Sequence, residues 1–583
     1  MKFKYIIFAA FVLLSSCKKD FLDSKPKGKL SDELLNSPDG IEALCISAYA
    51  ALAGPEGSDG TFLSPTTNWV YGDVRAETAY KGGGGIGDIA EFNQFETFTA
   101  VYASNGLLDR KWFSLYRSVQ RANSAIRRLN AVTETEVPLK NVRLGEMRFL
   151  RAHFYFELSR LFNHIPYFDE NVETVDYPKI SNVQFSRDEI LEKIAAEFAA
   201  AAALLPAKQP EAGRVTKYAA IAYQAKANLY RAYKQNPDNT VANVDQKLLN
   251  EVLIQCDDVI SNGGYDLLQD FQQLSMGEFD NSMESVFAVQ YSTADGTQLG
   301  RINWSNLLNV PRGPAYGGDG FFQPSQNLVN SYKTDAKGVP TPDTYNNINL
   351  MTVADGLAMN VDPRLDFSVG RLGIRWKNYA AAPYGPDWVR EPATYGYYSN
   401  KKALVSPESP FMVKGFPWGG SSLNFHVIRF ADVLLWKAEA LIEMNRQDEA
   451  LTLINRVRAR AKNSKYVTAF NSANPTDYAA KYTIDTYKPG ENCVWNNTNA
   501  RTALRFERKL ELALEGERFF DLVRWGNADQ VLNTEYFAKE KLLRTYLQNA
   551  NFVKGRDEYF PIPQPQINFS AGLYKQNPGY STQ

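Results

Sequence analysis

Between Arg143 and Asn163, Leu144, Met147, Leu150, Phe154, Leu158 and Leu161 recur at intervals of three or four. That spacing lines one face of an α-helix and suits no β-strand. Tyr218, Ile221, Ala225, Leu229 and Tyr233 repeat it from Thr216 to Tyr233, with Thr216 placed as an N-cap. The segments Leu107–Leu129, Asp188–Leu205 and Leu248–Ile260 carry the same signal, and Asn262-Gly263-Gly264 stops the last of them. These helices fall in successive pairs joined by short turns, the geometry of tetratricopeptide-type units, although no strict thirty-four-residue period is present. A second helical block begins at Val427, where Phe430, Leu434, Ala438 and Leu441 share a face. Asn445 to Asp448 makes the turn, and Ala450, Leu453, Ile454, Val457 and Ala461 line the returning helix. A further pair runs from Arg501 to Gly516 and on through Trp525. Residues 264–425 differ: they are rich in Gly, Pro, Asn and aromatics, with short strand-like runs such as Ser285–Val289. The expected fold is therefore mainly α, a tetratricopeptide-like paired-helix scaffold with an irregular, loop-rich middle region carrying a few short strands. Residues 17–583 are expected as one domain: a helical part over 17–263, the irregular region over 264–425, and a helical part with a tail over 426–583. So long an irregular stretch inside a compact chain marks function.

Residues 1–16 read as a secretory signal peptide: Lys2 and Lys4, an apolar run from Tyr5 to Leu14, then small residues. The segment ends Leu14-Ser15-Ser16-Cys17, which looks like a bacterial lipobox, with Cys17 as the lipidated residue. Acylation at that thiol anchors a protein to a membrane without a spanning helix. Lys18-Lys19-Asp20 resembles in part the short acidic signal that carries Bacteroidetes lipoproteins to the outer face of the outer membrane. The chain has a formal charge of −1, or roughly −3 without Lys2 and Lys4. Neither value supplies the concentrated positive charge that nucleic-acid binding needs. Cys45, Cys256 and Cys493 match no zinc spacing and cannot all pair.

Several motifs then appear in order. RAHFYFELSRLFNHIPYFDE (Arg151–Glu170), GRVTKYAAIAYQAKANLY (Gly213–Tyr230), Asp362-Pro363-Arg364, VIRFADVLLWKAEALIEMN (from Val427), ALTLINRVRARA (from Ala450) and FERKLELALEGERFFDLVRW (Phe506–Trp525) resemble the SusD/RagB family. Tyr559-Phe560-Pro561-Ile562-Pro563 and Gln576-Asn577-Pro578-Gly579-Tyr580 match its final segment, and Asn163 replaces a common glycine. The resemblance runs from Cys17 to the C-terminus. It implies a non-enzymatic, monomeric outer-membrane lipoprotein facing the cell exterior. Such a protein binds oligosaccharides by aromatic stacking and delivers them to a SusC-like TonB-dependent transporter. An oligopeptide-binding member of the same family, a surface glycosidase and a purely structural interaction module are the alternatives.

Glu507, Glu511 and Glu515 repeat every fourth residue on one helix face, beside Arg505, Arg508, Arg518 and Arg524. Glycosidases need two carboxylates flanking a bond, usually on different elements about 5 to 9 Å apart. Acids in line among arginines read instead as ion-paired joints between helices. His153, His164 and His426 have no metal-site spacing, and the dispersed Asp and Asn residues give no EF-hand, so no metal or cofactor is assigned. Gly82–Gly85 lacks the Lys-Ser/Thr of a phosphate loop and reads as a mobile surface loop.

The chain carries 9 Trp, 32 Tyr and 34 Phe, or 13% aromatic residues. Many must pack the core, but those in Gly/Pro-rich stretches follow no core period. Sugar rings stack their C–H faces on flat aromatics, and hydroxyls need polar partners nearby. The ligand-binding candidates are Tyr80, Trp304, Tyr316, Phe321 and Phe322, with Arg75, Asn303 and Asp319 as polar contacts. Trp376, Trp388, Tyr395, Tyr397, Tyr398 and Trp418 form a second tier, and some of these aromatics are expected to face the transporter.

Overall fold

A computed structural model describes residues 32–55, 60, 64, 68–297, 300–413 and 415–581. Cys17 and the signal segment lie outside them. The N-terminal helices are α1 (Pro38–Ala53), α2 (Ala90–Thr97), α3 (Gly106–Ala131), α4 (Lys140–Phe162), α5 (Arg187–Leu204), α6 (Lys217–Ala232) and α7 (Gln246–Asn262). The C-terminal ones are α8 (Phe430–Glu443), α9 (Gln447–Asn463), α10 (Asn497–Glu511) and α11 (Arg518–Trp525). Local chemistry sets their starts. Ser186 and Glu189 form a reciprocal capping box on α5, and Thr216 Oγ1 accepts from Ala219 N at 3.2 Å to open α6. Asp245 caps α7, which runs out at Asn262 before Gly264 turns the chain with φ +74°.

From α3 to α7 each helix packs on its neighbour in sequence, α7 packs on α8, and α8 on α9. One stack of antiparallel helices thus crosses from the N-terminal to the C-terminal part. No helix among the described residues is long and apolar enough to cross a membrane.

The strands are short and pair only two at a time: β1 (Ala79–Gly82) with β5 (Phe321–Pro324), β2 (Tyr233–Gln235) with β3 (Val241–Val244), β4 (Ser285–Val289) with β8 (Phe425–Arg429), and β6 (Val369–Gly370) with β7 (Ser399–Asn400). All four pairs are antiparallel. The architecture is the expected mainly α scaffold with a few short strands. One boundary is corrected: Val427 lies in β8, and the helix begins at Phe430. The β4 partner holds 425–429 extended, and Arg429 N then donates to Asp432 Oδ2 at 3.0 Å as α8 starts.

The acids of α10 and the turn after it sit in the ion-paired joint that their spacing indicates. Arg364 reaches Glu507 at 2.7 Å and Glu511 at 3.2 Å, Arg458 reaches Glu507 at 2.8 Å, and Arg429 reaches Glu284, Glu511 and Glu515. Arg460 adds Glu284 and Glu511, and Lys402 pairs with Glu515. These groups come from the middle region, β8, α9, α10 and the turn after it, so the network rivets the irregular segment to the helices.

Candidate functional site

The loop from Val310 to Gly320 folds back on itself. Gly317 N donates to Arg312 O at 2.8 Å, Gly318 N to Pro311 O at 2.9 Å and Gly320 N to Val310 O at 2.8 Å. Beneath it lies a small aromatic core of Val310, Tyr316, Trp376, Tyr384, Trp388 and Leu404. Trp376 and Trp388 are 5.0 Å apart, and Tyr316 meets each edge-on at 6.0 Å. Trp376 Nε1 donates to Tyr316 Oη at 2.9 Å, and Tyr316 Oη donates to Val405 O at 2.6 Å. A second loop closes by an antiparallel bridge between Met412 and Ser421, and Val413 N donates to Gly420 O at 2.7 Å. Its tip, Phe416-Pro417-Trp418-Gly419, holds the rings outward: Phe416 is 65% exposed and Trp418 54%. Gly419 has φ +72°, and a Cβ there would stand 2.3 Å from Val310, so only glycine lets the two loops meet.

Between the loops lies an open groove of about 810 Å³, lined by Arg312, Tyr316, Asp319, Asp387, Arg390 and Trp418 among others. Arg390 ties its rim to the glycine run: Nη1 is 2.9 Å from Asp88 Oδ2 and donates to Asp319 O at 3.3 Å. Burial, countered by Arg390 and reinforced by Asp88, raises the Asp319 pKa above the ordinary aspartate value. An aromatic face beside guanidinium and carboxylate groups offers what a polyhydroxylated ring needs: an apolar platform with donors and acceptors around it.

The structure brings Tyr316, Asp319 and Trp418 to this groove, with Tyr316 buried in its floor. Trp388 and Trp376 support that floor from below and are packing residues, fully enclosed in the aromatic core. Tyr80 is also buried. Its hydroxyl donates to Glu540 and accepts from Gln326 N, so its ring has no free face. Phe321 and Phe322 pack against Trp69 in the main core. Arg75 is sandwiched between the Phe519 and Phe560 rings at 4.0 and 3.9 Å, and donates to Asp557 O. Asn303 is spent on Leu423 O and Ser305. For these residues the ligand role gives way to a structural one, because the covering elements come from distant sequence. Tyr395 and Tyr398 are buried too, whereas Tyr397 is exposed. Trp304 is 6% exposed and lies at a different pocket.

Gly82–Gly85 is not the expected mobile surface loop. Gly82 and Gly83 are buried, Gly83 N donates to Gly320 O at 2.9 Å, and Lys81 Nζ donates to Gly85 O at 2.7 Å and to Asp88 O at 2.5 Å. His153 is buried with Nδ1 2.8 Å from Tyr223 Oη, and burial pulls the pKa values of His153 and His426 down to about 4. Sequence reasoning missed Phe416, Arg312, Asp387 and Arg390. Phe416 had a usable signal, an aromatic pair on either side of Pro417 and framed by Gly415 and Gly419; the charged residues had none, because their loops converge only in the fold.

Comparison with known proteins places this geometry. The family model described as "SusD family" matches residues 283–580, and the one described as "Starch-binding associating with outer membrane" matches residues 20–229. SusD-like protein P2 of Formosa agariphila is 25% identical over 99% of this chain and 100% of its own length. A SusD-like protein of Bacteroides ovatus is 25% identical over 98% of this chain and 94% of its own. Among solved structures, a laminarin-binding SusD-like protein aligns over 93% of this chain and all of its own, with a TM-score of 0.66 at 21% identity. Surface glycan-binding protein A of Bacteroides thetaiotaomicron in complex with laminarihexaose aligns over 92% of this chain and 99% of its own, with a TM-score of 0.65 at 18% identity. The match over 283–580 takes in more than half of the sequence, from β4 through the tail, and the chain belongs to the SusD family.

Proposed function

We propose that this protein is a non-catalytic surface lipoprotein that holds oligosaccharides in the groove beside Trp418 and passes them to a SusC-like TonB-dependent barrel for import. The observation that carries the reading is Trp418: a large indole held out to solvent by a hairpin, above a groove with charged groups of both signs. Exposed apolar surface of this kind marks a binding face. The glycan-binding names of two structural neighbours support a saccharide as the occupant. The family description that mentions the outer membrane supports the location. Anchoring is assigned to Cys17 and tested by loss of acyl mass in Cys17→Ala.

Calorimetric titration of the protein lacking residues 1–17 against neutral oligosaccharides, laminarihexaose first, tests the site. Binding should be enthalpy-driven and weaken about tenfold or more in Trp418→Ala, in line with about 1–3 kcal/mol for a ring stacked on an aromatic side chain. No binding to any oligosaccharide, or an unchanged affinity in the variant, overturns the reading. The mixed charge of Arg312, Arg390, Asp319 and Asp387 also suits the termini of a short peptide, and an oligopeptide screen with hits would favour that member of the family. Release of reducing ends would make the protein a hydrolase, with Asp319 and Asp387 as the groove carboxylates to substitute first. Co-purification with the barrel encoded alongside tests the transport partner.

A further inference from the structure

A second pocket, of about 510 Å³, shares no lining residue with the groove. It opens where the end of α1, Arg121 of α3, the Gly213-Arg214 turn before α6, the end of β4 and the segment Arg301–Trp304 come together. Its volume falls within the range of about 300–1,000 Å³ typical of small-molecule sites. One wall is apolar: Leu52, Ala53, Pro55, Ile302 and the Trp304 side chain. Among the described residues the rest carries three arginines against a single carboxylate, Glu211.

Among the described residues the charges at this pocket are not balanced. Arg214 is saturated, since Glu146 lies at 3.1 Å and Glu211 at 2.5 Å, and Glu42 completes the set. Glu211 is therefore spent. Arg121 has no carboxylate partner among the described residues; its Nη1 donates to Ser47 O at 3.0 Å, and its remaining N–H groups are left for solvent or ligand. Burial, with Arg117 nearby, lowers its pKa below the ordinary arginine value, so the cation is held there at a cost that an anion would relieve. Arg301 has no ion-pair partner among the described residues either, although its backbone N–H is fixed by Asp295 at 3.2 Å. The Trp304 indole N–H is buried without a partner among the described residues. Among the described residues donors are in excess and acceptors are short, beside the apolar wall.

We infer that this pocket is a second binding site, for an acidic saccharide unit whose carboxylate or sulfate lies between Arg121 and Arg301 while its C–H face rests on the apolar wall. Guanidinium groups bind both oxyanions through paired hydrogen bonds. The inference rests on the reading that the protein takes saccharides, but it uses different residues, so the two separate experimentally.

Calorimetry with three probes of equal length tests it: an oligogalacturonate, a sulfated galactan oligomer and an uncharged glucan, each at low and high salt. At least one anionic probe should bind more tightly than the uncharged one and weaken as salt rises. The carboxylate and sulfate arms identify which oxyanion fits. Arg301→Gln, at an exposed position where the fold is not at stake, and the Arg121→Gln/Arg301→Gln pair should each lower that affinity, the pair by about tenfold or more, as for lost charge-assisted hydrogen bonds. Trp418→Ala should leave anionic binding unchanged, and the arginine pair should leave uncharged binding unchanged. The inference is overturned if neither anionic probe outbinds the uncharged one, or if the arginine variants bind it as well as the parent protein. Anionic binding that survives in Trp418→Ala while every uncharged probe fails would instead sink the groove and keep the pocket.

Discussion

Trp376 and Trp418 both stand in loops rich in Gly, Pro and aromatics, and local sequence treats them alike. One is 0% exposed and the other 54%, because Trp376 is wrapped by Tyr316, Tyr384 and Trp388 from other turns of the middle region. Their substitutions should therefore part company. Trp376→Ala opens a cavity in the groove floor and should cost about 3–5 kcal/mol, read as a lower denaturation midpoint. Trp418→Ala should change that midpoint by less than about 0.5 kcal/mol, the range of surface substitutions, while reducing glycan affinity. Gly83 supplies a third contrast. Its φ is +78°, and a Cβ would meet the Phe321 ring at 2.6 Å, so Gly83→Ala should destabilise by about 1–3 kcal/mol in the same melt. Composition pointed to an aromatic, loop-borne site, and the fold sets Tyr316, Asp319 and Trp418 along the groove proposed for it. Tyr80, Phe321 and Arg75 are not set there, since what covers them (Glu540, Trp69, Phe519 and Phe560) lies far away in sequence, where no local pattern reports it.

At the level of elements, the helices were legible and the joints between them were partly so. A period of three to four residues over twenty positions has one structural solution, and α3 to α7 fall within a few residues of it. The run 425–429 did not declare itself, because five residues of mixed character, Phe425-His426-Val427-Ile428-Arg429, fit a strand or the first turn of a helix until β4 is known to lie beside them. The Glu507, Glu511 and Glu515 row announced ion pairing, but its partners Arg364, Arg429, Arg458 and Arg460 come from three other segments. Burial alone would raise Glu511, yet Arg460, Arg429 and Arg364 hold it down at about 2. Asp521 is held at about 2 in the same way by Arg508 and Arg524. Carboxylates depressed on folding stabilise above their unfolded value near 4.5 and lose that contribution as pH falls toward 2. Burial works the other way on Asp73, raised to about 7, and Asp432, raised to about 6. There the folded state holds the proton more tightly than the unfolded chain, so stability declines as pH rises from about 4 to about 7. The two groups together place the maximum of their joint contribution at about pH 4, where the rising and falling trends cross, and denaturation midpoints measured from pH 3 to pH 8 will show it. Glu511→Gln should cost about 3–5 kcal/mol by leaving buried guanidinium groups underpaired, and should flatten the acid limb.

Across the whole molecule, one buried cluster runs from Ile41 in α1 to Tyr574 in the tail, through both sets of helices. The C-terminal segment closes it on the N-terminal helices. Phe560 N donates to Leu161 O at 2.8 Å, Asn577 Nδ2 donates to Phe162 O at 2.8 Å and to Phe560 O at 2.7 Å, and Lys575 N donates to Asn182 Oδ1 at 2.8 Å. Arg75 depends on the same segment, since it stacks on Phe560 and donates to Asp557 O. A tail of this kind is a keystone: it adds little core volume but satisfies polar groups that nothing else reaches, and an unsatisfied buried group costs about 1–3 kcal/mol. Deleting residues 554–583 removes these partners together and bares the Phe95 and Phe519 faces that Phe560 and Arg75 cover. The truncated chain should lose its single cooperative unfolding transition and expose apolar surface to a reporter dye. Asn577→Ala, which removes the hydrogen bonds of this one side chain, should keep the transition and lower its midpoint. A truncated protein that still melts in one sharp step at the parent temperature would show that the N-terminal stack closes without the tail.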